Sequence, residues 1–395
     1  MDSVMKKKDL NLNMSDWKLT RLGDLAGEVS VRVDNPSESG YDRFVGLGNF
    51  VSGDTKIKSW ETTENLASAA KAFQAGDILF ARRNAYLRRA SLVDFEGCCS
   101  GDAFVLRENH DRIVPGFLAF IVNSDGLWEY ANSNAAGTMS KRVKWRDLAN
   151  YQFLLPPKAQ QTRLAELLWA MDEVVEKERR VLGRLEITLK TFREKRVAED
   201  SLPIHKLEQV LIGITAGRSL NGVNTPVNDY QKGVLKVSAV GPDGFQPEEN
   251  KVLTDQEAFL EQYIVNQGDI LITRANTTAL VGRVCQVPQD YPNLMLSDKT
   301  LRLELNQMAN PTFIVEVLKS KKARRQIEAL ATGTGGAMKN ISQSEIRALK
   351  IPLPEIGIQD KLAHEIAQIR GNYKVTLDKL TASHALQKSL INQIF

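Results

Sequence analysis

Gly76 to Ala85 reads GDILFARRNA, and Gly268 to Thr277 reads GDILITRANT. Each is a Gly-Asp turn, a short apolar strand and then a positively charged segment. A ten-residue echo decides the fold only if its flanks repeat in the same order. They do. Gly76 and Gly268 are 192 residues apart, as are Arg82 and Arg274, and Asn84 and Asn276. Downstream the lag is 196, matching Asp102 with Asp298, Pro115-x-Phe117 with Pro311-x-Phe313, and Ala135–Thr138 (AAGT) with Ala331–Thr334 (ATGT). After the additional Gly335 and Gly336 the lag is 198, matching Lys141 with Lys339, Leu155-Pro156 with Leu353-Pro354, and Gln161 with Gln359. Small insertions in surface loops account for the drift, so the whole chain is two copies of one unit.

The 395 residues are 43% hydrophobic, enough for two or three domains with real cores. No apolar run approaches the roughly 20 residues of a membrane span, and MDSVMKKKDLNLNMSDW lacks the apolar centre of a signal peptide. A cytoplasmic protein without a membrane partner is expected. Three cysteines, Cys98 and Cys99 adjacent, suit a reducing compartment and read as structural thiols. A net charge of +4 permits nucleic-acid binding without requiring it, so the location of charge must decide.

Each copy begins with short strands and turns. Between Trp17 and Leu155, strands are expected around Arg43–Gly48, Ile78–Arg82, Ala90–Val93 and Ala103–Leu106. Pro115 should open a helix running to about Tyr130, and Pro311 opens PTFIVEVLKSKKARRQIEAL in the second copy. A proline hinge follows, LLPPKAQQ in copy one, and then a long helix. Its seam is Leu164, Leu168, Met171, Val175, Glu178, Leu182, Leu185, Leu189 and Phe192, in steps of four and three. The second helix repeats this seam with Leu362, Ile366, Ile369, Tyr373, Thr376, Leu380, Ser383, Gln387 and Leu390. Matched registers and lengths of about 35 residues favour the two helices packing on each other. Chain order makes the pair antiparallel, with a module at either end of the rod. Glu178 and Thr376, the seam centres, should face each other across the pseudo-two-fold axis. The fold class expected is therefore α+β: two pseudo-symmetric α/β domains separated by a long antiparallel two-helix coiled coil. The boundaries fall at 1–157, 158–200, 201–354 and 355–395.

Charge is concentrated in particular loops. ARRNAYLRRA carries Arg82, Arg83, Arg88 and Arg89 around Asn84 and Tyr86. Arg and Asn are shaped for bidentate contacts to guanine and adenine edges, and Tyr can bond a phosphate or stack. The second copy keeps Arg274 and Asn276 and continues with Thr277. A glycine-containing loop precedes Lys141, Arg142 and Lys144 in copy one and Lys339-Asn340 in copy two. Glycines let backbone approach a phosphate closely. Arg218, in GITAGRSLNG, is a further candidate. The bland alternatives are a solvated strand edge and a helix-end turn.

Catalytic motifs are missing from the sequence. Asp34-Asn35-Pro36-Ser37 lacks the second proline and the aromatic of an adenine methyltransferase motif. Pro242-Asp243 with Glu249-Asn250-Lys251 could be imagined as a Mg²⁺ nuclease site, but copy one offers no acidic equivalent. There is no G-x4-G-K-[ST] loop, and His110, His205, His364 and His384 have no zinc-ligand spacing. No catalytic, metal or cofactor site is expected.

The duplicated GDIL strand, the LPP-x3-Q and LP-x4-Q segments leading into long helices, and the run ILFARRNAYLRRASLVDFEGCCSGDAFVL carry a resemblance. From Trp17 onward the chain resembles the specificity subunit of type I restriction-modification systems, with ILITRANTTALVGRV similar to a second kind of target recognition domain. That resemblance implies two target recognition domains (1–157 and 201–354), each reading half of a bipartite, asymmetric double-stranded DNA site. It also implies that the paired helices set the gap and dock two methyltransferase subunits, joined by restriction subunits, with S-adenosylmethionine on the methyltransferase and not on this chain. The competing class is a non-catalytic coiled-coil scaffold whose modules bind other proteins. Different residues on equivalent loops, Arg82-Arg83-Asn84 against Arg274-Ala275-Asn276, favour DNA reading.

Overall fold

The computed structural model describes residues 14–138, 140–242, 244–333 and 338–395. The matches expected at Thr334, Gly335 and Gly336, and the acidic candidate Asp243, lie outside the described residues. Two compact units form. One is the chain up to Arg180 together with Thr376–Phe395, and the other is Val181–Val375.

The quoted turn does the same work in both units. Gly76 and Gly268 have φ of +92° and +88°, the left-handed region that a Cβ makes costly. The Asp77 carboxylate accepts the Gln74 N–H at 2.9 Å, and Asp269 accepts the Asn266 N–H at 3.0 Å. Each turn thus bonds to itself and delivers a fully buried strand, Ile78–Ala81 or Ile270–Thr273. Arginine secures the turn from a neighbouring strand: Arg107 holds Asp77 through two bonds of 2.8 Å, and Arg302 holds Asp269 at 3.0 Å.

These strands sit inside equivalent four-stranded sheets. The order is Ala26–Val29, Ala103–Glu108, Ile78–Ala81, Ala90–Leu92 in one unit. In the other it is Leu211–Ala216, Thr300–Leu305, Ile270–Thr273, Val284–Gln286. A five-stranded sheet accompanies each, and four of its strands keep one order in both units. The fifth differs, because Val31–Val33 pairs with Ala70–Phe73, whereas Gly222–Val223 pairs with Asn250–Leu253 at the opposite edge.

Pro115 does not open one continuous helix. Gly116 has φ +76°, and helices form at Leu118–Ile121 and Asp125–Ser133, with Ser124 capping the second. The other unit breaks likewise, into Pro311–Lys319 and Lys321–Leu330 around Ser320. Both serines are buried, and their hydroxyls accept the N–H three residues on, from Leu127 and Ala323. A side-chain oxygen that takes an orphan N–H starts a helix, and it ends the previous one here because its own backbone is extended.

The long helices span Lys158–Phe192 and Ile356–Ile394. All eighteen seam positions are buried or half-buried. Each helix is fastened to its module by a glutamine that water does not reach. The Gln161 amide donates to the Pro156 carbonyl at 2.9 Å while its oxygen accepts the Val114 N–H at 3.0 Å. Gln359 repeats this with Pro354 at 2.8 Å and Asn310 N–H at 2.9 Å, and also donates to Met308 at 3.0 Å.

Within each unit the helix segments run antiparallel. The tip contacts are not those of a level count between Glu178 and Thr376. Glu178 accepts a hydrogen bond from Ser383 at 3.3 Å, Asp172 is reached by Gln387 rather than position 382, and Glu186 by Tyr373 rather than 368. The lean of side chains toward each helix N-terminus accounts for only about one residue on each helix, so the pairing itself is offset from that count.

Gln161→Ala and Gln359→Ala each strand a half-buried backbone N–H and a buried proline carbonyl. Each should cost about 1–3 kcal/mol, lowering the urea midpoint of the unit that carries it and leaving the other unit's transition in place.

Candidate nucleic-acid interface

At the end of Ile78–Ala81 the chain turns through a 3-10 segment, Ala85–Leu87, flanked by Asn84 and Arg88 at φ of +55° and +50°. Asn tolerates this conformation better than most residues. The segment is tied to the glycine loop: Val143 N–H donates to Arg82 O at 2.9 Å, Asn84 N–H to Lys141 O at 3.0 Å, and Arg142 bonds back to Ala136. Arg83 also donates to Ser140 Oγ at 2.5 Å, and Ser140 to Asn84 Oδ1 at 3.4 Å. A backbone ledge thus brings together Arg82, Arg83, Asn84, Lys141 and Arg142, with Lys144 exposed at the cap of Trp145–Leu148 and Tyr86 68% exposed on the turn.

One acid organises the arginines. Asp102 accepts from Arg142 Nε at 3.0 Å and lies 3.6 Å from Arg82 and 3.8 Å from Arg83. The bond from Arg142 holds its carboxyl below the usual carboxylate range, reinforced by all three charges and opposed by partial burial. One carboxylate against three guanidiniums leaves positive charge facing solvent. Arg82 is steadied further by the Phe104 ring, 5.8 Å away.

Two of the arginines chosen from sequence serve the fold. Arg88 turns to Asp125, which also receives Lys388 at 3.4 Å. Arg89 donates to the carbonyls of Leu47 at 3.0 Å and Arg83 at 3.3 Å. Alternation alone could not separate these inward arginines from Arg83.

The second unit builds the same ledge. Ala275–Asn276 pairs with Lys339–Asn340, which bridges to Thr332, and Ile341 N–H donates to Arg274 O at 2.9 Å. Every bond falls at the position its counterpart predicts. The side chains differ: Ala275 stands for Arg83 and Thr277 for Ala85, and the Asn276 side chain accepts the Thr277 N–H at 2.8 Å. Lys339 donates to Gly333 O at 3.1 Å. Asp298 is not the structural partner of Asp102. Ala81 pairs with Ala103 and Thr273 with Thr300, so Lys299 occupies that place, and Arg274 N–H bonds Lys299 O at 2.8 Å as Arg82 N–H bonds Asp102 O. A one-residue loop insertion moves the register. Among the described residues Arg274 makes no ion pair. Arg218, exposed just beyond Leu211–Ala216, joins the same sheet end, because Gly217 N–H reaches Ser297 O at 3.2 Å. Asp102, Ser140 and Lys299 were not singled out from sequence as site residues.

Among the described residues no group of three His, Cys, Asp or Glu side chains is placed to hold a metal ion. Cys98, Cys99 and Cys285 are buried, which pushes their thiols up to about 11, about 12 and about 12. A thiol that stays protonated at neutral pH is a poor nucleophile. No helix of the described chain is long and apolar enough to cross a membrane.

Asp102→Asn should free three arginines, tightening binding to all duplexes and steepening the salt dependence by up to about 0.9 per phosphate gained. Because the folded carboxyl titrates below the ordinary 3.8, its stabilisation is complete above that value and is lost as pH falls through the lower folded value. Unfolding curves of wild type and variant should therefore converge in acid, and separation persisting there would contradict the clamp.

Residues 215–393 match the family model of the type I restriction modification DNA specificity domain. The chain is 35% identical over 144 residues to the type I restriction enzyme EcoEI specificity subunit of Escherichia coli, covering 36% of this chain and 24% of that protein. To the EcoKI specificity subunit of Escherichia coli K12 it is 25% identical over 299 residues, covering 71% and 64%. The matched region spans less than two thirds of the length of either relative. In fold, the crystal structure of a type I restriction-modification S subunit from M. genitalium superposes with a TM-score of 0.62 at 13% identity, covering 99% of this chain and 98% of that one. A structure from a type I R-M system gives 0.57 at 20% identity, covering 96% and 97%. In sequence the chain is thus similar to type I restriction enzyme specificity subunits, over its second half most clearly, and in fold to a solved S subunit.

Proposed function

We infer that the chain is a non-catalytic DNA-reading subunit. Its target recognition domains, 1–157 and 201–354, each read one half of a bipartite, asymmetric double-stranded site, and the chain brings methyltransferase and restriction subunits to that site. The observation that carries this reading is the pair of backbone ledges, bonded alike and carrying different side chains. A common scaffold with variable Arg, Asn, Thr and Lys residues is what two sequence readers of different specificity require. Protein-binding modules would not need cationic, hydrogen-bonding edges at both matching positions. Partner docking is supported by the first long helix, where Leu167, Val174 and Val181 form an exposed apolar row at heptad spacing outside the seam. S-adenosylmethionine would then be bound by the methyltransferase. Arg88, paired with Asp125, and Arg89, bonded to the carbonyls of Leu47 and Arg83, drop out of the reading set.

Methylome sequencing of cells with and without this chain and its methyltransferase should reveal one asymmetric two-part motif dependent on the chain, and a continuous palindrome would refute the reading. Arg83→Ala and Asn84→Ala should each relax one position of one half-site by about 1–3 kcal/mol. Lys141→Ala should instead weaken all sequences alike and flatten the salt slope by about 0.9. Relaxation in both half-sites from one substitution would contradict modular reading.

A further inference from the structure

Val181–Val375 contains a cavity of about 590 Å³ whose charged floor is not duplicated in the other unit. Glu316, fully buried, accepts from Arg193 Nε at 2.7 Å and from Arg370 through its other oxygen. Lys319, three residues on, lines the same cavity and makes no hydrogen bond or ion pair among the described residues. At the lag of 196 the equivalents of Glu316 and Lys319 are Phe120 and Asn123, so this arrangement is not part of the repeated scaffold. Five cations, Lys190, Arg193, Lys319, Arg370 and Lys374, thus stand against two carboxylates, Glu316 behind the lining with both oxygens engaged and Glu186, which accepts from Tyr373 at 3.0 Å. Burial pushes the Lys319 pKa below its ordinary value, with Glu316 pulling the other way. Placement at the end of Pro311–Lys319 offsets the helix dipole but leaves the excess charge unmatched. Clustered, partly desolvated charge of one sign is unfavourable unless an anion joins it.

The rest of the lining is mixed: Glu186, Lys190, Gln286, Tyr373 and Lys374 are polar, and one side is apolar. Leu189 and Ile369 come from the long helices, and Phe245, packed on Tyr291 with ring centroids 5.0 Å apart, comes from the module. The volume falls within the range of small-molecule sites, roughly 300–1,000 Å³. We propose that this cavity binds a phosphate monoester carrying a flat or apolar organic group, the phosphate on Lys319, Arg193 and Arg370 and the body against Leu189, Ile369 and Phe245. The site is separate from the ledge of Arg274, Asn276 and Lys339, so it stands or falls independently of DNA reading.

Calorimetric titration of the full chain with phenyl phosphate and with inorganic phosphate tests this. Both should bind, phenyl phosphate more tightly. Lys319→Met keeps the aliphatic stem and should weaken both by roughly tenfold or more, the loss of one charge-assisted bond. Phe245→Ala should weaken phenyl phosphate selectively, a pattern that general loss of folding cannot produce, and duplex DNA affinity should be unchanged in both variants. Equal binding by wild type and Lys319→Met would overturn the proposal. So would absence of binding by either probe, or a loss of duplex affinity in Lys319→Met without phosphate-ester binding, which would make the cavity a seat for the DNA backbone.

Discussion

A buried carboxamide holds each unit together. Gln161 and Gln359 sit where a module hands over to its long helix, and each satisfies a proline carbonyl and a backbone N–H of the module at once. The proline supplies a bend without an N–H of its own, and the glutamine fixes the direction in which the chain leaves it. The helix seam can bury its leucines against a partner only when that direction is set. The glutamine therefore couples two structures that would otherwise be joined by a flexible hinge.

The division of labour within each module follows from the same economy of backbone bonds. The Gly-Asp turn, the buried strand and the ledge are held by main-chain hydrogen bonds that fall at equivalent positions in both copies. Main-chain bonds do not depend on side-chain identity, so the side chains on the ledge are free to differ. Where one copy places Asp102 among three arginines, the other places Lys299 beside Arg274, giving the same scaffold a different electrostatic surface. On the proposed reading, neutralising part of the arginine cluster limits indiscriminate attraction to phosphate and shifts the balance toward contacts that depend on base identity.

Much of this was legible in the chain itself. The repeat, the strands flanking GDIL, the long helices and their seams follow from local period and from order along the sequence, because burying one face of a strand or helix imposes a period of two or of 3.6 residues. The ledge residues were legible as a set, since charge beside a strand end has few places to go but the surface.

Tertiary structure alone decided which arginines face out. Arg83 and Arg88 stand five residues apart in one charged run, yet Arg88 is drawn inward by Asp125, an acid remote in sequence. The register of the acidic clamp was likewise invisible, because a one-residue shift in a loop replaces Asp298 by Lys299 without disturbing the hydrophobic pattern. So was the contact of Glu178 with Ser383, because the periodicity of two seams does not set the register between them. The cavity cations Arg193, Lys319 and Arg370 come from three separate segments, so no local pattern announces them. The sequence determined the repeated scaffold through periodic burial; long-range pairing of charges, which has no period, decided which of its polar residues remain free to act.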